Sequence, residues 1–167
     1  MIALERLQQF PFFGFMEQEQ LKAVATIAQE VHFGAGDEVC EAHTPSDALY
    51  FLTQGSLSYY MVVLSEYQPD YRKEYFIGVV NPGEIFGISS LIEPHLHTAT
   101  LRAEKPSYVI KIDGLALLTL CEKDVRLYLG LMKAVAKTAM NRLQMTRVQL
   151  AAQMVGSQND ARIAQHD

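Results

Sequence analysis

Between residues 31 and 113 the sequence is cut into short runs rich in Val, Ile, Tyr and Phe by closely spaced turn signals: GAGD from Gly34, TPSD from Thr44, Gln54-Gly55, NPG from Asn81 and EPH from Glu93. Short strands at such spacing need partners on both sides. They predict an all-β barrel or sandwich. The polar stretch from Ser65 to Lys73, which contains Pro69, predicts a mobile hairpin loop rather than a strand. The flanks have a different texture. Residues 2–28 place Leu21, Val24, Ala25 and Ala28 at helical spacing, with a break at Pro11. After Gly114, residues 115–121 predict a short helix, and from Val125 good helix formers continue without proline up to Gly156.

The last helix carries a pattern of its own. Val125, Leu129, Met132, Ala136, Ala139, Leu143, Thr146 and Leu150 follow alternating steps of four and three, the seam of a coiled coil over roughly three and a half heptads. Packing on the chain's own sheet would also use such a stripe. Its apolar content nevertheless exceeds what one small barrel covers, and Ala136 and Ala139 permit close approach, so a homodimer through this helix is expected.

Composition restricts partners and compartment. A chain of 167 residues, 49% hydrophobic and 20% charged, is one globular domain with a core of its own. No run of apolar residues is long enough to span a membrane, and MIALERLQQF lacks the pattern of a signal peptide. A cytoplasmic protein is therefore expected. Cys40 and Cys121 are far apart and read as small buried hydrophobes rather than as a disulfide or zinc framework. Fourteen basic residues face nineteen acidic ones, a net charge of −5, which argues against a nucleic-acid surface over the whole chain. One segment departs from that balance: residues 125–154 hold Arg126, Lys133, Lys137, Arg142 and Arg147 and no acidic residue.

Four motifs in order sharpen the reading: AGDEV from Ala35, ALYFLTQGSLSYY from Ala48, NPGEIFG from Asn81 and TATLRAEKPSYVIKID from Thr98, followed on the long helix by NRLQMTR from Asn141. Together they closely resemble the cyclic-nucleotide-binding domain of the CRP/FNR regulators, over roughly residues 4–153. The resemblance implies a mainly β fold: an eight-stranded antiparallel jelly-roll barrel with N-terminal helices and a long C-terminal dimerisation helix. It divides the chain into a sensor domain over residues 1–155 (helices 1–30, barrel 31–113, helices 115–155) and a tail, 156–167, similar to the hinge before a DNA-binding domain. The implied function is regulatory rather than enzymatic. Binding of a small anionic or nucleotide-like effector is coupled to signalling or transcription.

The family's site is implied at Gly87, Ile88, Ser89, Ser90, His97, Thr98, Arg142 and Thr146. In relatives, backbone N–H groups at a helix start, helped by an arginine, hold the cyclic phosphate, and a glutamate takes the ribose hydroxyl. Gly87 allows the close backbone approach. Where the family has that glutamate this chain has Ile88, and where it has the arginine this chain has His97. An aliphatic group cannot accept the ribose hydrogen bond, and imidazole gives up a permanent charge and a bidentate fork. Cyclic AMP is therefore expected not to bind in the usual way. Ser89, Ser90 and Thr98 would serve equally as turn residues. The family's purine-contacting pair falls at Thr146-Arg147 here, and Arg142 and Arg147, which have no acidic partner within the helix, would also serve as a solvated face.

Other readings remain open at this stage. His95 and His97 form an H-x-H pair that, in a strand, would face one way as in cupin-like metal enzymes, although no acidic or histidine ligand follows at suitable spacing. With His32 and His43 they also leave room for a haem-type sensor. No cofactor is assigned. The tail after Gly156 resembles the entry to a helix-turn-helix, which eleven residues cannot complete. The chain is thus expected not to bind DNA alone, as a stand-alone module or as a regulator without its DNA-binding half.

Overall fold

The computed structural model describes residues 1–68 and 70–163, with side chains up to Gly156. The N-terminal segment folds as α1 (Leu4–Gln8), a 3-10 turn (Pro11–Phe15) and α2 (Gln18–Thr26). Pro11 stands at the start of the 3-10 turn, where its missing N–H costs nothing. A reciprocal capping box between Glu17 and Gln20 opens α2. Strands follow as β1 (Ala28–Phe33), β2 (Glu38–Cys40), β3 (Ala48–Leu64), β4 (Arg72–Val80), β5 (Ile85–Phe86) and β6 (Thr100–Asp113). A second 3-10 turn (Ile88–Leu91) separates β5 from β6. The chain ends in α3 (Gly114–Lys123) and α4 (Val125–Ile163).

All strands pair antiparallel in one folded sheet of order β1-β6-β3-β4, with β2 on β6 and β5 on β3. The described residues form six strands, against the eight expected for a closed jelly-roll barrel. The difference lies in β3 and β6, which run 17 and 14 residues without interruption. Their register shifts repeatedly between Leu52 and Leu57, so bulges bend each long strand where the jelly roll would divide it in two. Gly55 makes this bend possible: its φ is +107°, and a Cβ there would run into the Ser107 backbone at 2.6 Å. Arg72 and Lys73, at the end of the polar stretch from Ser65, belong to β4 and pair with Leu64 and Val63, while Pro69 lies outside the described residues.

Alternation along β3 divides the interior in two. Leu49 and Phe51 join Ile110 and Ile112 of β6 in a core completed by the helices, including Leu7, Phe13, Leu21, Val24, Leu127 and Leu131. Phe51 is the focus of that core, with the rings of Phe10, Phe12 and Phe13 at 5.0, 5.4 and 5.2 Å. Ala48, Tyr50 and Leu52 face the other way and meet Leu57, Val80, Phe86, Leu101 and Val109 inside the folded sheet. Cys40 and Cys121 are buried free thiols, one in each core. Burial pushes Cys121 up to about 11 and Cys40 to about 12, which keeps both as unreactive hydrophobes.

Helix α4 packs on this body along a stripe that the expected seam does not contain. Leu127, Leu131 and Val135 are buried, and Thr138, Arg142, Met145 and Gln149 continue the line partly buried. From Leu131 on, each of these lies one residue before a seam position, about 100° around the helix. Much of the seam faces away from the sheet, with Val125 77% exposed, Leu129 57%, Leu143 51% and Leu150 58%, whereas Met132 packs half-buried against the helical core and Thr146 is half-buried. The helix passes Gly156 without a break and continues to Ile163, taking up eight of the twelve residues read as a hinge. The last four of those lie outside the described residues.

Candidate functional site

β5 delivers the chain into a sharp turn at Gly87. The backbone there is left-handed, with φ +69°, and a Cβ would stand 2.6 Å from the Ala48 carbonyl. Only glycine meets both demands. The turn releases Ile88 into the short 3-10 segment Ile88–Leu91. Ser90 is buried in it, and its hydroxyl donates to the Gly87 carbonyl at 2.8 Å. The connection from here to β6 returns past the same place, held by His97 N–H to the Thr44 carbonyl (2.8 Å) and His43 N–H to the His97 carbonyl (2.7 Å).

These two segments and α4 enclose a cavity of about 480 Å³, within the range of a small-molecule site. Six of the eight residues implied by the resemblance line it: Gly87, Ile88, Ser89, His97, Thr98 and Arg142. Ser90 and Thr146 do not. The Ser90 hydroxyl is engaged by the turn, and the Thr146 hydroxyl donates to the Arg142 carbonyl at 2.9 Å within the helix. The residue reading missed Tyr59, Phe86, Leu101, Val135 and Thr138, which form most of the remaining wall. Phe86 lay inside the NPGEIFG motif. Val135 and Thr138 were signalled by the 4-3-4-3 stripe Leu131, Val135, Thr138, Arg142 and Met145, hidden beside the more apolar seam.

Charge in the cavity is sparse. His97 is only 8% exposed, and burial pushes its imidazole below the ordinary histidine range, outweighing the opposing pull of the Asp47 carboxylate. A histidine whose folded pKa is depressed leaves the unfolded chain, near 6.5, to take up the proton first. Its contribution to stability is complete above about pH 6.5 and declines as the pH falls from there toward the folded value. Thermal midpoints recorded from pH 7.5 to 5 should fall on acidification, and His97→Gln should flatten part of that slope; an unchanged slope would remove His97 from the titration.

His95 and His97 do not share a strand face. His95 is itself in the left-handed region, with φ +57°, and its Nδ1 lies 3.0 Å from the Ser90 carbonyl. Only Leu96 between them makes a β-bridge, to Pro45. Strand alternation, on which the cupin-like reading relied, does not apply here. Among the described residues no three His, Cys, Asp or Glu side chains cluster as metal ligands. His32 is apart from the cavity, its ring against Tyr108 at 4.6 Å, and His43 Nε2 lies 3.4 Å from the Val62 carbonyl. Among the described residues no helix is long and apolar enough to cross a membrane.

The family model described as "Cyclic nucleotide-binding domain" matches residues 30–124, a span that contains the whole sheet and the Gly87 turn apart from the start of β1. The chain belongs to the cyclic nucleotide-binding domain family. A Geobacter metallireducens structure described as of cyclic nucleotide-binding type shares 34% identity, over 86% of this chain and 99% of that one, with a TM-score of 0.70. The N-terminal domain of a transcriptional regulator from Streptomyces coelicolor is 26% identical over 81% of this chain and 92% of its own, at 0.60. The sensor domain of the regulator DNR from Pseudomonas aeruginosa shares the fold at 20% identity, over 81% and 91%, at 0.64. A search of curated protein sequences found no match. The family is described as a binding domain, and two of these neighbours are domains of transcriptional regulators.

Proposed function

We propose that this cyclic nucleotide-binding domain is a ligand-dependent sensor of the CRP/FNR type, in which occupancy of the cavity beside Gly87 sets the position of α4 and, through it, a homodimer. One observation carries the reading: the wall of the cavity includes Val135, Thr138, Ala139 and Arg142 of the helix whose adjacent stripe is exposed. An effector touching that wall has a differential interaction with any two arrangements of the helix, which is the requirement for a population shift. The 77% exposure of Val125 and 51% of Leu143 supports a second copy as the partner of the seam. Neutral His97 and aliphatic Ile88 support an effector other than cyclic AMP, small and anionic or nucleotide-like.

The coupling is tested from the helix side. Thr138 lines the cavity but lies off the seam, so Thr138→Trp fills the site without touching the dimer stripe. Sedimentation should then give a dimer dissociation constant altered by about fivefold or more, equivalent to roughly 1 kcal/mol of coupling. An unaltered constant in a folded variant would leave cavity and dimer uncoupled and the reading overturned.

A further inference from the structure

The cavity beneath α4 has one permanent positive charge and no negative one. Of its lining residues only Arg142 is always ionised, and none is Asp or Glu. Most of the remaining wall is apolar, with Phe86, Ile88, Leu101 and Val135 on it. The Arg142 side chain is 13% exposed, its guanidinium 5.4 Å from the centre of the Tyr59 ring. Among the described residues its fork meets the weak acceptor Met145 Sδ at 3.5 Å and Glu84 Oε2 at 3.8 Å, the latter beyond hydrogen-bond length. That same Glu84 oxygen accepts the Asn81 N–H at 2.9 Å and so serves its own turn. A planar group with five N–H donors thus has, among the described residues, no oxygen at hydrogen-bonding distance and only a long ion pair to Glu84, which leaves its remaining N–H groups to water. An anion entering the cavity can take those donors in place of water.

Resting on the effector-site reading above, we propose that the ligand is an amphipathic carboxylate, its carboxylate forked on Arg142 and its apolar body directed toward Phe86, Ile88 and Leu101. Bidentate geometry suits guanidinium and carboxylate, and the apolar wall selects against a densely hydroxylated or multiply charged ligand. The orientation places the anion on α4 rather than on the Gly87 turn, where buried His97 is the titratable cation and its burial disfavours the charged form. Glu84 is the ligand's competitor. Binding draws Arg142 away from the turn at residues 81–84, which borders a second groove of about 950 Å³ between β4 and α4 that Arg142 also lines.

Octanoate and its uncharged analogue 1-octanol are the probes, titrated calorimetrically into the full chain at pH 7.5. Octanoate should bind at least tenfold more tightly than octanol, and Arg142→Met should erase that preference while leaving octanol within about twofold. Glu84→Gln, which removes the competing carboxylate, should strengthen octanoate severalfold. Octanoate that fails to bind at millimolar concentration, binds no better than octanol, or is indifferent to Arg142→Met overturns the assignment. The comparison of the two probes on the unmodified chain needs no variant to fold. Ala99→Leu, which takes volume from the cavity without altering charge, should weaken both probes. If it does so while Arg142→Met leaves octanoate untouched, the cavity remains the effector site and the carboxylate assignment falls. If octanoate binds undiminished to Ala99→Leu, the anion sits elsewhere and the proposal is wrong.

Discussion

Leu143→Asp is expected to turn a dimer into a monomer at micromolar concentration, as read by sedimentation velocity. Leu143 stands mid-helix on the exposed part of the seam, and it is 51% exposed. In a symmetric pair each copy would bury this side chain, worth about 2 kcal/mol apiece, so losing both removes roughly 4 kcal/mol. That corresponds to on the order of a thousandfold in the dissociation constant, before any cost of burying two carboxylates. The buried stripe of Leu127, Leu131 and Val135 is untouched by this change, so the sheet and its helix should keep their fold. A monomeric unmodified chain, or a Leu143→Asp chain that still sediments as a dimer, would refute the dimer reading.

The second large effect is a gain. Cyclic AMP should show no binding to the unmodified chain at micromolar concentrations near neutral pH, whereas the pair Ile88→Glu with His97→Arg should bind it measurably. Both positions line the same cavity beside Gly87. Glutamate restores an acceptor for a ribose hydroxyl, and arginine restores a permanent bidentate cation where burial now holds an imidazole below the ordinary histidine range. Together they should be worth several kcal/mol, on the order of a thousandfold in affinity. Calorimetry on both proteins decides it. Micromolar affinity in the unmodified chain would mean that another group replaces the missing pair, and no recovery in the double variant would mean that the turn from Gly87 to Leu91 no longer fits a cyclic phosphate.

Acidification separates two contributions of His97. Protonation in the folded chain would add a cation to the cavity, but only below the ordinary histidine range, because burial disfavours the charged ring. Anion affinity should therefore rise only toward the lower end of the interval in which the fold loses stability, as the pH nears the depressed folded value.

The order of the elements was written in local sequence. Turn residues divided 31–113 into strands, Pro11 broke the N-terminal helices, and the proline-free run after Val125 specified a long helix, because backbone conformation at such positions is set by each residue's own covalent geometry. The motifs around NPGEIFG identified the family for the same reason: Gly87 must be glycine wherever the chain turns left-handed against the Ala48 carbonyl. Strand number was not legible. Whether β3 is one strand or two depends on bulges that form only when it pairs with β6, a contact between residues about fifty apart in sequence.

The site was legible on one side only. The sequence alone determined the Gly87 turn and the seam from Val125 to Leu150, and by resemblance it put Ile88 and His97 where relatives have a glutamate and an arginine. Tertiary structure decided which stripe of α4 is buried, since Leu131, Val135, Thr138, Arg142 and Met145 repeat with the same 4-3 period as the seam and one helix can offer both. It decided too that Arg142 faces a cavity while Thr146 bonds back to its own helix. A period fixes spacing along a helix but not its rotation about the axis, which is chosen by the shape and polarity of what the helix packs against.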